Sequence, residues 1–493
     1  MFAYHILWLM MVYLTDVWEL ELVHAAAIIN IWTGSVRVLP IFFAHLADAF
    51  LGNNIVVLFS SLSSMIGIGL IWLSTPPVLG KSIGSCTQYK SECIGKQQKQ
   101  LLYAGLALTS VGMASQSACY GPFAHEQVEE SAADNNCDCV CVCVCVCYVG
   151  GVISGYNLTP RPEGSPLTTI FRVLFASTCK SFCTRPHDMN ELYEKPDPRL
   201  ELLPHTKSLG CLDKAAIINT QLVLEQQEKT RWRLCKVTEV EETKIFIRTI
   251  PLWMTFIFYG IISSLSATYF LEQAKRLDPR VGKAKAPLIL FLWFYDKFRR
   301  SFTASFFCTF IVSGHFLPRI GMVVAMVFGA LSCITAAMVE TRRLGIVQSH
   351  GLIDKPKERV PMTIFWLLPQ FVLLGGLDGI YKLCAFAFSY DQAPQSMIKY
   401  FNLFARGFFG LGIMGSVAIV YLVGMISELK TGTSWFHSTL NLSRLDNYYW
   451  LLASMVTVNL AIYLLVASFH RYRDSRFAQW QERMLVFMKE DDY

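Results

Sequence analysis

Three ionisable side chains lie inside stretches of the chain that are otherwise apolar. Arg37 lies within residues 25–44, and Asp378 and Lys382 lie within residues 362–388. On insertion scales, a charge at the centre of a membrane-spanning helix costs about 2.5–3.5 kcal/mol, so such residues usually face a bundle interior or water. The chemistry that these side chains offer is therefore the binding of a polar solute or of a proton.

Two interpretations of these charges remain open. Asp378 and Lys382 are four residues apart and would share one face of a helix, where they can neutralise each other. Arg37 can extend its charged end to a lipid headgroup, and the three charges are then structural. In the other interpretation, Arg37 faces an anion, and Asp378 and Lys382 form an internal pair that substrate or protonation perturbs.

A strict alternation of cysteine and valine, CDCVCVCVCVCYVGG, occupies residues 137–151. Thiolates bind soft metal ions such as Zn²⁺ and Cu⁺. In an extended strand with a rise of ~3.3 Å per residue, alternate thiols are about 6.6 Å apart, which is too far for one tetrahedral ion. A repeated TG dinucleotide encodes this alternation, so we treat residues 128–156 as an aberrant low-complexity segment. We expect neither a metal site nor a bound cofactor.

Signatures of enzymes and of nucleic-acid binding are missing from the sequence. It contains no glycine-rich phosphate loop, no H-E-x-x-H motif and no convincing Ser/His/Asp arrangement. The net charge of +6 is typical of a membrane protein with basic loops that face anionic lipid. The sequence therefore favours a protein that is not an enzyme and that has the lipid bilayer, not nucleic acid, as its partner.

The elements that must position the three charges are long apolar helices. Hydrophobic residues make up 53% of the chain and charged residues only 16%, which excludes an ordinary soluble protein. A helix needs about 20 apolar residues to cross the hydrocarbon core. Stretches of this kind occupy residues 25–44, 55–73, 101–123, 245–271, 320–339, 362–388, 401–426 and 448–469. The sequence thus predicts an all-α polytopic membrane protein.

Two further apolar stretches are short. One occupies residues 2–14, and the other occupies residues 287–295 and resumes at residues 302–312. Charged residues separate the two parts of the second stretch, so we expect an interrupted or strained helix there. These charges are Asp296, Lys297, Arg299 and Arg300.

Small residues recur in the stretch at residues 401–426. Glycines in a membrane helix allow a close approach of its neighbours. We therefore expect tight helix packing at Gly407, Gly410, Gly412 and Gly415.

The distribution of charge predicts five regions. An incomplete N-terminal helix bundle, residues 1–127, precedes the aberrant segment at 128–156. A charged loop with amphipathic helices, residues 157–244, connects to a C-terminal helix bundle at 245–470, and a basic tail occupies residues 471–493. Since positive charge tends to remain in the cytoplasm, we expect the loop and the tail to be cytoplasmic.

Several polar strings resemble one known family. They read LDKAAI at residues 212–217, VEETK at 240–244, SYDQAPQSM at 389–397, WFHSTLNLSRLDNYYWLLA at 435–453, NIWTGSVRVLP at 30–40, LADAFLG at 46–52 and EGSPLTTIFRV at 163–173. In type and order they resemble the plant nitrate/peptide transporter family, which comprises proton-dependent oligopeptide transporters of the major facilitator superfamily.

This resemblance implies a two-bundle architecture with about ten of the family's twelve helices present. It implies a solute site between the halves and secondary-active, proton-coupled transport of nitrate, a di- or tripeptide, or a hormone or metabolite conjugate, at the plasma or vacuolar membrane. Asp48 resembles the family acid that contacts a neighbouring helix end and stabilises a gate. The family usually has a basic residue just after Gly52, where this chain has Asn53 and Asn54.

Other departures from the family concern its proton-linked positions. The family's E-x-x-E-R motif precedes a string like FAYH, which here follows Met1 directly. Positions where the resemblance implies a lysine, a histidine and a glutamate correspond to Ser117, Ser263 and Ala387. An alternative is therefore a non-transporting protein, truncated or derived from a faulty gene prediction, that acts only as an interaction partner of intact homologues.

Overall fold

A computed structural model gives the fold of most of the chain. It describes residues 10–75, 95–133, 164–182, 192–194, 203, 205–218, 227, 232–281, 284–285, 288–313, 317–356 and 358–470. Residues 2–9 of the first short stretch, the cysteine–valine run and the basic tail lie outside the described residues, so the predictions made for them remain predictions.

The described residues of the N-terminal part are mostly helical. Its helices are α1 (Met10–Asp16), α2 (Leu22–Val38), α3 (Pro40–Leu46), α4 (Asn53–Leu73) and α5 (Lys96–Ala133). The helices α2 and α3, followed by a π-helical turn, make one long span. Pro40 begins α3 because a proline lacks the N–H group that a helix interior requires.

One shorter helix, α6 (Pro166–Cys179), follows in the charged region. Ser165 caps it by accepting a hydrogen bond from the Leu167 backbone N–H at 3.3 Å, and Pro166 occupies its first position. A short 3₁₀ helix, Leu212–Ala216, packs against it.

Long helices and one short helix, α8, make up most of the described C-terminal part. They are α7 (Val237–Ser263), α8 (Tyr269–Arg276), α9 (Leu288–Ser313), α10 (Leu317–Ser349), α11 (Leu368–Gln392), α12 (Ile398–Thr431) and α13 (Leu445–Phe469). Four very short strands are β1 (Leu277–Asp278), β2 (Arg280–Val281), β3 (Ala284–Lys285) and β4 (Val360–Thr363); β1 pairs with β4, and β2 with β3. Among the described residues, seven helical segments are long and apolar enough to span a membrane.

The charges near residue 296 do not interrupt their helix, so the expected interruption was wrong. The whole of Leu288–Ser313 is one helix. Asp296 accepts hydrogen bonds from Arg299 at 2.7 Å and from the Arg300 Nε at 2.8 Å, which are three and four residues later. This spacing brings the charges together on one helix face, where they neutralise each other.

The long span near residue 245 also differs from its predicted bounds. It begins at Val237, because the Glu239 carboxylate accepts a hydrogen bond from the Lys236 backbone N–H at 3.1 Å and so satisfies a free donor at the helix start. It ends at Ser263. The apolar residues after it form a turn and then α8.

Glycines bring the two halves into backbone contact where α2 crosses α12. A Cβ atom added to Gly34 would lie 2.7 Å from the Gly410 carbonyl oxygen. A Cβ atom added to Gly412 would lie 1.9 Å from the Ile257 carbonyl oxygen of α7. A Cβ atom added to Gly407 would lie 2.7 Å from the Ile41 side chain. Nothing lies within 4 Å of that position at Gly415. The prediction of tight packing is confirmed at three of its four glycines.

Candidate substrate and gating site

The carboxyl group of Asp378 lies where three helices of the C-terminal half converge. Its Oδ2 atom, on α11, accepts hydrogen bonds from the Ser263 hydroxyl of α7 at 3.1 Å and from the Tyr295 hydroxyl of α9. Its Oδ1 atom is buried and has no hydrogen-bond partner among the described residues. An unsatisfied buried oxygen is costly, so this carboxyl group is suited to take up a proton or to accept a donor from a solute.

Lys382 does not neutralise this carboxyl group. The described partners of Asp378 are Ser263 and Tyr295, and the Lys382 side chain is exposed. Although residues four apart share a helix face, the Asp378 side chain is held toward α7 and α9 by the two hydroxyl groups. The interpretation as a self-neutralising pair is therefore wrong for this arrangement.

Arg37 reaches the same region from the other half of the molecule. Its guanidinium carbon lies 4.9 Å from the centre of the Phe409 ring of α12, which is a cation–π contact. The Phe409 ring stacks on Tyr381 of α11 with centres 5.0 Å apart. The stacked Phe409 and Tyr381 rings thus lie between Arg37 of α2 and the helix that carries Asp378.

Asp48 joins the two halves at the end of the molecule where α6 begins; we call residues 157–244, which contain α6, the linker. Its Oδ1 atom lies 2.8 Å from the Lys399 ammonium, and its Oδ2 atom accepts a hydrogen bond from the Tyr400 hydroxyl at 2.7 Å. Ser165, the cap of α6, lies 2.9 Å from the same Tyr400 hydroxyl. We call Asp48, Ser165, Lys399 and Tyr400 the linker-side contact. An acid at this position indeed contacts a neighbouring helix end.

A second cluster joins the halves at the opposite end. Lys275 of α8 forms an ion pair with Asp16 of α1 and donates a hydrogen bond to the Thr15 hydroxyl at 3.0 Å. Thr15 in turn donates to Glu272 at 3.3 Å, and Arg276 lies 3.0 Å from the other oxygen of Glu272. We call Thr15, Asp16, Glu272 and Lys275 the far-side contact.

Sequence reasoning missed the far-side contact, although a signal was available. Glu272, Lys275 and Arg276 have the three- and four-residue spacing of a helical charge cluster. They follow an apolar span directly. The partner residues on α1 could not be recognised in advance because the contact depends on how the two halves pack.

Of the three neutral family positions, one belongs to the site. Ser263 binds Asp378, as described above. Ser117 is exposed and donates to the Ala114 carbonyl oxygen of its own helix at 3.2 Å. Ala387 is a buried packing residue. A serine in place of a histidine therefore still provides a hydrogen-bonding group at this position.

A polar cluster at the base of α7 has the spacing of a metal site but holds a lysine. His205, Asp213 and Glu241 place their ligand atoms within 4.8 Å of one another. The Lys244 ammonium lies 2.6 Å from Asp213 and 2.7 Å from Glu241. Because this positive charge lies where a cation would bind, the cluster attaches the linker to α7 and does not favour a metal.

Comparison with known proteins identifies the family. The sequence pattern of the POT family matches residues 139–436, which is more than half of the chain. The chain belongs to the POT family. A similar protein from Arabidopsis thaliana, Protein NRT1/ PTR FAMILY 5.5, is 34% identical over 520 residues, covering 95% of this chain and 94% of the relative. Protein NRT1/ PTR FAMILY 5.6 of the same plant is 28% identical, and the match covers 95% of this chain and 88% of the relative.

Solved structures of POT proteins share the fold. The crystal structure of an auto-inhibited POT family peptide transporter covers 96% of this chain, with 95% of its own chain matched, at a TM-score of 0.57 and 13% identity. The match to the POT family transporter PepTSo covers 94% of this chain and 94% of that chain, at a TM-score of 0.56 and 12% identity. This POT family chain is therefore an all-α, multi-pass integral membrane protein of major-facilitator type, and its family membership supports transport over the non-transporting alternative.

Proposed function

We propose that this POT family chain moves a small polar or anionic solute across a membrane by alternating access, driven by inward proton flow. Nitrate, a di- or tripeptide, or a hormone or metabolite conjugate are the solutes proposed, at the plasma or vacuolar membrane. The observation that carries the proposal is the Asp378 carboxyl group, one oxygen of which has no hydrogen-bond partner among the described residues. The chain acts in this proposal as a transporter and not as an enzyme.

Arg37 is the group that attracts the anion. The described contact of its guanidinium group is an aromatic ring and not a carboxylate, so its charge is not cancelled by that contact. A guanidinium group offers several N–H donors in a planar fork that fits carboxylate or nitrate oxygens. Its position on α2, against α12, makes a bound anion touch both halves.

Asp378 is the group that takes up the proton. As a carboxylate it accepts hydrogen bonds from Ser263 and Tyr295, and its second oxygen is free of such bonds. Protonation converts that oxygen into a donor and removes the charge that attracts Arg37. Arg37 is then available to a solute anion, so proton and solute favour each other's binding. Lys382 adds a second, exposed positive charge on the same helix.

Two contacts alternate as gates in this proposal. The linker-side contact holds the halves together at the cytoplasmic end, and the far-side contact holds them at the opposite end. Each contact separates only when its own end of the molecule opens. A state that is open on one side therefore keeps the contact on the other side. Asp48 is the acid of the cytoplasmic gate.

A vesicle assay tests the site as a unit. The full chain is reconstituted into proteoliposomes, and nitrate or dipeptide uptake is measured under an inward proton gradient. We expect the triple variant Arg37→Gln, Asp378→Asn, Lys382→Gln to lose uptake. The matched control Lys430→Gln removes an exposed charge at the end of α12 and should keep it. Unchanged uptake by the triple variant would show that these residues do not serve transport.

A further inference from the structure

Helix α6 carries apolar side chains on two sides. One side, with Ile170, Val173 and Ala176, is buried against the 3₁₀ helix Leu212–Ala216 and the start of α7. On the other side, Phe171 is 63% exposed and Phe175 is 52% exposed. The second side is therefore not used by the described packing of the linker.

A tryptophan from the linker enlarges this second side. The Trp232 ring is 6.0 Å from the Phe175 ring, in an edge-to-face arrangement at 87°, and is itself half exposed. Leu174 lies beside them with more than a third of its surface exposed. We call Phe171, Leu174, Phe175 and Trp232 the aromatic face of α6.

Positive charge borders the aromatic face. Arg233 follows Trp232 and is exposed. Lys180, which follows α6 directly, points to the buried side instead, where its ammonium group donates hydrogen bonds to the Ala215 and Ile217 carbonyl oxygens. The sequence around the tryptophan, KTRWRLCK at residues 229–236, holds four basic residues and no acid.

The start of α6 lies at the ends of the spanning helices. Its cap, Ser165, contacts Tyr400 in the linker-side contact, so the helix begins level with the ends of the spanning helices. With 14 residues, α6 is about 21 Å long at 1.5 Å per residue. This is less than the ~30 Å of a hydrocarbon core, so α6 cannot cross the bilayer.

We propose that the aromatic face of α6 binds the headgroup region of an anionic lipid leaflet. Aromatic rings favour the interface between hydrocarbon and water, and an amphipathic helix with basic neighbours binds anionic surfaces. Phe171, Phe175 and Trp232 lie at the boundary between the headgroups and the acyl chains, and Arg233 contacts the lipid phosphates and carboxylates. The proposal depends on the fold and not on the identity of the solute.

The fluorescence of Trp232 tests this contact in the full chain. The protein is reconstituted into nanodiscs that contain either brominated phosphatidylserine or brominated phosphatidylcholine at equal mole fraction. Subtracting the signal of the conservative variant Trp232→Phe isolates the Trp232 emission. We expect phosphatidylserine to quench this emission at least about twofold more strongly, since one basic residue near the surface favours anionic lipid about fivefold.

Charge variants separate the possible outcomes. The variant Arg233→Gln should lose most of the preference for phosphatidylserine, whereas Lys430→Gln, at the opposite end of the spanning helices, should keep it. Equal quenching by both lipids would overturn the anionic specificity. No quenching by either lipid would overturn the proposal as a whole and show that protein covers the aromatic face.

Discussion

Two side chains, Arg37 and Asp378, form the centre of the proposed transport site. Arg37 supplies a positive charge against an aromatic ring, and Asp378 supplies an acid with one unsatisfied oxygen. Both were recognisable in the sequence because a charge in an apolar span is rare. The partners of Asp378 were not recognisable, because Ser263 and Tyr295 come from helices far apart in the chain.

The role of Arg37 predicts a change in solute affinity. Arg37→Gln should raise the apparent KM for an anionic solute by about tenfold or more, which corresponds to about 1.4 kcal/mol. Arg37→Lys keeps the charge but loses the planar fork and its stacking, so an intermediate KM is expected. The concentration dependence of uptake in proteoliposomes measures both. A KM unchanged in Arg37→Gln would exclude an anion contact.

Cysteine reactivity tests the packing of the linker. Burial, with a smaller contribution from Glu239, raises the pKa of the Cys235 thiol to about 11. At neutral pH this thiol is therefore protonated, and its labelling by maleimide should be slow and rise only as the pH approaches that pKa. Cys179 and Cys211 are exposed and should label fast, as measured by mass spectrometry of peptides. Equal rates for Cys211 and Cys235 would contradict the docked linker.

The long spans and the unbroken course of α9 are the main features of the helices. The long spans were predictable from apolar length alone. The continuity of α9 was not predicted, although Asp296, Arg299 and Arg300 already have the spacing of an intrahelical cluster. A charge in an apolar span interrupts a helix only if no partner lies one turn away, and here each arginine has the same partner.

Two glycines of α12 offer a matched pair of substitutions. Gly410→Ala should push α2 and α12 apart, because the new methyl group meets the Gly34 carbonyl oxygen at 2.9 Å. Overpacking of this kind costs about 1–3 kcal/mol, so a lower Tm in detergent and slower uptake are expected. Gly415→Ala meets nothing within 4 Å and should keep or raise the Tm. Equal Tm values for the two variants would contradict the close crossing.

The whole molecule has ionic contacts between its halves at both ends. The family resemblance of the string LADAFLG predicted that Asp48 contacts a neighbouring helix end. It did not give Lys399 and Tyr400 as partners, nor the far-side contact, since both depend on the packing of one half against the other. The architecture followed from the sequence, whereas the pairing across the interface required the structure.

A double-mutant cycle tests the linker-side gate. Asp48→Asn and Lys399→Gln should each change the uptake rate, and the double variant should change it no more than either one, because both remove the same ion pair. The control pair is Lys355 and Glu358, 3.2 Å apart and both more than half exposed. Lys355→Gln should leave uptake unchanged, since exposed pairs contribute little. Additive effects of Asp48→Asn and Lys399→Gln would show that the residues do not act together.

Proton entry upon solute addition tests the proposed mechanism most directly. The full chain is reconstituted into proteoliposomes with a pH-sensitive dye inside, and nitrate or dipeptide is added outside. The wild-type protein should acidify the interior as the solute enters. Asp378→Asn should abolish this acidification while it still exchanges solute across the membrane. Equal acidification by both proteins would contradict the role of Asp378, and no solute movement by the wild-type protein would contradict transport itself.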